Sequence, residues 1–202
     1  MRSVILLDLE CTALSDGEVW EVGALEYGLP GDSSARVEHL WRVEPDLPAA
    51  DGGAMRVNGY YQRTARMVHP SGTARAHDLA AADPSEHLFW SDPGALALDL
   101  AMLLAGKTLV CSVPTFDAPY LSEFLILHGQ CGGIWDHRAR DICSIAHGYL
   151  RGLGKPAPGL DAGTAEYAEA LGVDPCMFRL HSALGDVLLM AAMLSVIDGS
   201  VR

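Results

Sequence analysis

Positive charge is scarce in this chain. Lys and Arg number 14 against 26 Asp and Glu, a net charge of −12 over 202 residues, which argues against a protein that grips long polyanions by charge alone. Long apolar runs are missing as well. The longest, Val187 to Ile197, has about half the length needed to cross a bilayer and reads as a buried core helix. Near the N-terminus, Asp8 and Glu10 end the apolar run Val4-Ile5-Leu6-Leu7 before a secretory segment could form. A soluble, cytoplasmic protein with no membrane partner is expected. No C-x-x-C pair joins Cys11, Cys111, Cys131, Cys143 and Cys176. An odd count without paired spacing fits neither a disulfide framework nor a zinc site, so all five are expected to be reduced. There is no internal repeat, no second-domain boundary and no attached polymerase, helicase or RNA-binding module, so residues 1–202 are expected to form one domain.

Half of the residues are hydrophobic, enough for a sizeable core. The order of patterns is that of a mixed α/β domain. Val4 to Leu9 reads as a buried strand, Thr12 to Gly17 as a turn-rich link, and Val19 to Tyr27 and Arg36 to Val43 as two further strands, so the first three strands are expected to form a meander. Pro45 to Ala50 breaks the pattern, and Met55 to Met67 reads as helical. The Pro-, Ser-, Gly- and Ala-rich stretch from His69 to Trp90 reads as a long loop or insertion around 66–91, longer than compact domains carry without a function. Asp92 is placed to cap a helix with Pro93 at its first position, running to about Ala105. A strand over Lys107 to Ser112 follows, then helices over Asp117 to His128, Asp141 to Leu150, Ala162 to Leu171 and Ala183 to Ile197. Gly152-Leu153-Gly154-Lys155-Pro156 is not a phosphate loop, because the glycine spacing is one residue too long and Pro156 follows the lysine.

Three short segments carry the chemistry. Asp8-Leu9-Glu10 closes the first strand, Phe116-Asp117 opens a helical pattern, and His181-Ser182-Ala183-Leu184-Gly185-Asp186 opens another. Four carboxylates and an imidazole from three separated points are the components of a two-metal phosphodiester hydrolase. Side chains alternate along a strand, so Asp8 and Glu10 share a face and aim two carboxylates at one point. Hard cations such as Mg²⁺ and Mn²⁺ take oxygen ligands of this kind, and the end of a strand is the rim where open α/β sheets bind ligands. Taken singly, D-x-E reads as strand-end acids, Asp117 as a helix cap and His181 as a surface histidine; their joint order points to a nuclease.

The bases are segregated. Gly52 to His77 holds Arg56, Arg63, Arg66 and Arg75 with no acid, whereas Asp78 to Asp99 holds five acids and no base. Bound divalent cations would reverse the sign at the carboxylates, and Arg56, Arg63 and Arg66 are candidates to line the path of a substrate strand. A solvated surface loop is the alternative.

Leu7 to Leu14, Trp20-Glu21-Val22-Gly23-Ala24, Leu109 to Leu121 and His181 to Asp186 together resemble the exonuclease motifs of the DEDDh family. This is the 3′–5′ exonuclease superfamily that includes the bacterial proofreading subunit, ribonuclease T and oligoribonuclease. The resemblance spans about residue 3 to residue 197. It implies a ribonuclease-H-like fold, a mixed central sheet flanked by helices. It also implies that Asp8, Glu10, Asp117 and Asp186 hold two divalent ions, Mg²⁺ or Mn²⁺, and that His181 is the general base. The activity implied is removal of 5′ mononucleotides from the 3′ ends of single-stranded DNA or RNA, with DNA slightly favoured. Thr12 and Leu14 are candidates to contact the terminal nucleotide; Tyr60 and Tyr61 are candidates to stack a base, although two tyrosines in a helix are more often core or surface residues. The chain departs from the family at Cys111-Ser112, in place of His-Asn or a similar polar pair, and at Ala13 in place of glycine. An exoribonuclease trimming short RNA and a non-catalytic nucleic-acid-binding or protein-docking domain of the same fold are the rival readings; a polymerase, another protein or a second copy of the chain would each be a compatible partner.

Overall fold

The computed structural model describes residues 4–29, 32–64 and 90–199. Strands β1 (Val4–Cys11), β2 (Val19–Leu29), β3 (Asp32–Arg42), β4 (Thr108–Cys111) and β5 (Arg140–Asp141) form one five-stranded sheet in the order β3-β2-β1-β4-β5. The first three strands are an antiparallel meander; β4 runs parallel to β1, and β5 parallel to β4. Among the described residues the α-helices are α1 (Gly52–Val57), α2 (Tyr60–Thr64), α3 (Pro93–Leu104), α4 (Pro114–Leu127), α5 (Ile142–Gly152), α6 (Thr164–Ala170) and α7 (Ala183–Ile197).

Strand parity sorts the core into two layers. Ile5, Leu7 and Leu9 pack with Leu96, Leu100 and Leu104 of α3 and Leu121 and Leu125 of α4. Leu6, on the other face, packs with Val110 and with Ile142, Tyr167, Val187 and Met190 from α5, α6 and α7. Because β1 is central and covered on both faces, it reads as a continuous apolar run until Asp8. The same parity puts Asp8 and Glu10 on the face of Leu6, beneath α7. Gly23 of β2 lies opposite Asp8 in the register, and a Cβ there would run into the Ala183 carbonyl and the Leu184 amide. Glycine therefore lets the start of α7 close onto the sheet beside Asp8. A smaller cluster of Trp20, Met55, Tyr60 and Trp90 secures α1 and α2, with Trp20 and Tyr60 edge to face at 4.9 Å.

Several boundaries differ from the sequence reading. α4 begins at Pro114, three residues before Asp117, because proline at the first helical position has no N–H to leave unpaired. Where a helix was expected from Met55 to Met67, the described part, up to Thr64, forms two short helices parted at Asn58-Gly59, where Gly59 has φ +67°, a conformation open to glycine. Residues 65–89, which include Arg66 and most of the expected insertion, lie outside the described residues. β5 was not anticipated, since two residues are too few to show alternation. Among the described residues, no helix is long and apolar enough to cross a membrane.

Candidate active site

Asp8 and Glu10 on β1 and Asp186 in the first turn of α7 each bring a carboxylate oxygen within 4.8 Å of the others. Parity aims the first two, and a tight cap aims the third. Ser182 Oγ accepts from the Gly185 amide at 3.2 Å and donates to the Arg179 carbonyl at 2.7 Å. A Cβ on Gly185 would collide with both partners, so this loop closes only around glycine. A serine cap of this kind stabilises a helix start by about 1 kcal/mol. It also sets the register in which the Asp186 amide donates to the Ser182 carbonyl at 2.9 Å.

Asp117 is buried in the first turn of α4 and stands outside that triplet. It acts on the triplet through its charge, which after burial is the largest influence raising Asp8. The amides of Leu9, Val113 and Asp117 and the thiol of Cys111 favour its ionised form. Cys111 thus gives Asp117 a hydrogen-bonding neighbour.

Burial, and then repulsion from Asp117, Asp186, Glu10 and Glu21, hold the Asp8 carboxyl well above the usual range. Burial and the charge of Glu21 push Glu10 up to about 8. Burial pushes Asp117 up to about 7 and Asp186 up to about 6. This all-oxygen set, fixed on a strand and two helix starts, fits hard divalent cations, which would remove the repulsion.

The shifts predict a pH dependence. Carboxyls whose folded pKa is raised bind more protons folded than unfolded, so metal-free stability falls as pH climbs from about 4 through about 8. Divalent ions require the ionised forms, so they should bind more tightly over the same rise. Thermal melts at pH 5.5 and pH 8, in chelator and in Mn²⁺, should show a lower metal-free melting temperature and a larger Mn²⁺ gain at pH 8. An equal Mn²⁺ gain at the two pH values would contradict this.

The remaining candidate residues are placed unevenly. His181 is exposed, just ahead of the cap at φ +57°, and its charge favours ionised Asp186. It borders a cleft of about 190 Å³ shared with Arg56, Gln62 and Arg179. Leu14, 80% exposed, edges a cavity of about 780 Å³ walled by Val43, Tyr120 and Phe124 and rimmed by Asp16, Glu18, Glu44 and Glu123. Thr12 is buried; its Oγ1 accepts from the Glu18 amide at 2.8 Å and its carbonyl from the Asp51 amide at 2.9 Å, so its side chain shapes the loop instead of facing a ligand. Tyr60 is a core residue, while Tyr61 is exposed.

Arg63 departs most from expectation. It is 8% exposed, and its guanidinium is ion-paired to Glu21, although the residue also lines the cleft beside His181. Glu21 itself went unassigned in the sequence reading. It is fully buried, accepts from Arg42 Nε at 2.6 Å, and receives the Ala183 amide at 2.9 Å. A charged residue between Trp20 and Val22 in an apolar strand is the signal that a buried cation must meet it.

The sequence matches no family model and no curated relative. Solved structures do resemble the fold. E. coli exonuclease I in complex with a dA16 oligonucleotide aligns with 98% of this chain and 41% of its own length at a TM-score of 0.65 and 15% identity. A further structure of exonuclease I aligns over the same shares at a TM-score of 0.68 and 14% identity. The zinc-bound complex of E. coli exonuclease I with single-stranded DNA covers 100% of this chain and 41% of its own at a TM-score of 0.66 and 14% identity. The fold is ribonuclease-H-like. The chain spans about two-fifths of the length of exonuclease I, and at these identities the likeness is one of architecture.

Proposed function

We propose that the chain is a metal-dependent 3′–5′ exonuclease acting on single-stranded nucleic acid, DNA ahead of RNA, and releasing 5′ mononucleotides. The convergence of Asp8, Glu10 and Asp186 within 4.8 Å at the end of the central strand carries this reading. These three and Asp117 would hold two divalent ions, Mg²⁺ or Mn²⁺. When bound, such ions supply water activation and neutralisation of charge at a phosphoryl group.

The protein's own groups divide the remaining work. His181, exposed beside Asp186 and outside the carboxylate triplet, takes the proton from the attacking water as general base. The cavity beyond Leu14 suits the neutral base and sugar of the terminal nucleotide, because its acidic rim repels phosphate and its walls are partly apolar. Phosphates are directed instead to the cleft where Arg56 and Gln62 adjoin His181. The single-stranded DNA bound in the exonuclease I complexes favours DNA as the substrate.

The test is a ladder. Single-stranded DNA and RNA oligomers labelled at the 5′ end should shorten stepwise from the 3′ end with Mg²⁺ or Mn²⁺, DNA faster than RNA. Chelation should stop the reaction and either ion restore it. A folded sample that hydrolyses neither polymer with either ion would exclude the catalytic reading and leave the binding-domain rival.

A further inference from the structure

We propose that Arg63 and Glu21 are positioning residues for His181, clamping the backbone on both sides of it so that the imidazole keeps its place beside Asp186. The proposal rests on the reading of His181 as general base.

The contacts converge on one short stretch of main chain. Arg63 Nη1 donates to the carbonyl of His181 at 3.3 Å and to that of Asn58 at 3.0 Å, while Nη2 donates to Glu21 Oε1. That same Glu21 oxygen accepts from the Ala183 amide at 2.9 Å. One ion pair thus holds the carbonyl of His181 and the amide two residues later. Glu21 Oε2 is bound at 2.6 Å by Arg42 Nε, which anchors the clamp to β3. On its other side the clamp reaches the carboxylate strand: Asn58 Nδ2 donates to the carbonyl of Cys11, next to Glu10, at 3.1 Å. The guanidinium also lies over the Trp20 ring, 4.9 Å from its centroid.

This arrangement answers a local difficulty. His181 has φ +57°, a left-handed conformation that strains an ordinary L-residue and persists only when its surroundings over-determine it. A planar guanidinium can bond three acceptors at once, which a lysine ammonium on a flexible stem cannot reproduce in the same geometry. The acid-free segment around Arg63 therefore joins the strand carrying Asp8 and Glu10 to the loop carrying His181.

A double-mutant cycle on a small chromogenic thymidine phosphodiester, which needs no strand path, tests the proposal. With saturating Mn²⁺, Arg63→Lys should lower kcat by about 10- to 100-fold, with KM and calorimetric Mn²⁺ affinity unchanged. In a His181→Ala background, the same change should lower kcat by less than about twofold, because the group being positioned is gone. Glu21→Gln, which keeps an acceptor for Ala183 but loses the charge that raises Glu10, should tighten Mn²⁺ binding yet show the same fall in kcat at saturating Mn²⁺ and the same loss of that effect in the His181→Ala background, and it decides the matter if Arg63→Lys does not fold. Equal losses in both backgrounds would overturn the proposal and reduce the clamp to a stabilising ion pair. Unchanged turnover in His181→Ala alone would instead overturn the general-base reading.

Discussion

Asp8→Asn should raise the melting temperature of the metal-free protein while removing both the proposed nuclease activity and the response to Mn²⁺. Asp8 lies within 4.8 Å of Glu10 and Asp186, oxygen to oxygen, and feels Asp117 most strongly of all its charged neighbours. Without a cation, each of these carboxyls is raised by burial, and Asp8 and Glu10 by repulsion as well. An amide of the same shape relieves that repulsion. Relief at such a site is worth about 0.5–2 kcal/mol, or about 2–4 °C for each kcal/mol in a chain of this size. The same change removes one of the three converging carboxylates of the proposed metal site, and turnover should fall by several orders of magnitude. Melts in chelator and in Mn²⁺, together with the oligomer ladder, measure the three effects. An asparagine variant that is less stable than wild type in chelator, or that keeps the full Mn²⁺ shift, would mean that Asp8 is not a ligand of the proposed metal site.

The readable and unreadable parts of this site differ in how far their causes lie along the chain. Asp8 and Glu10 were legible because strand parity is local: with Leu6 buried on one face, residues two and four further on must share it. The start of α7 was legible for the same reason, since a helix from Ala183 puts Asp186 in its first turn, whereas the Ser182 cap was not read. Arg63 was not. Its run of neighbours without acids read as a positive surface, but the acid that neutralises it, Glu21, comes from β2 and is brought there only by the folded sheet. Thr12 likewise looked free to meet a nucleotide, whereas the Glu18 amide and Asp51 amide occupy it in a loop closure set by β1 and β2. The meander was visible from its alternation and its turn, while β5, two residues long, exists because β4 offers it an edge. Charge pattern in a single sequence therefore reports which groups need partners, and the fold decides whether the partner is a ligand or another buried side chain.

His181→Ala should lower turnover by about 10²–10⁴-fold, the usual contribution of a positioned general base, and leave Mn²⁺ affinity and the metal-free melting temperature nearly unchanged. The imidazole is exposed and lies outside the carboxylate triplet, so its removal takes away no oxygen ligand. The loop is held through backbone atoms, the His181 carbonyl bound by Arg63 and the Ala183 amide bound by Glu21, and alanine preserves both. Alanine at φ +57° bears a backbone strain similar to that of histidine, so stability has little reason to move. His181→Asn, a residue that tolerates this conformation better, should be at least as stable and equally slow, separating loss of the proton acceptor from disturbance of the loop. Calorimetric titration with Mn²⁺ beside single-turnover kinetics distinguishes the roles. If His181→Ala loses as much Mn²⁺ affinity as Asp8→Asn, the imidazole is a metal ligand, and the proton must leave the attacking water by another group.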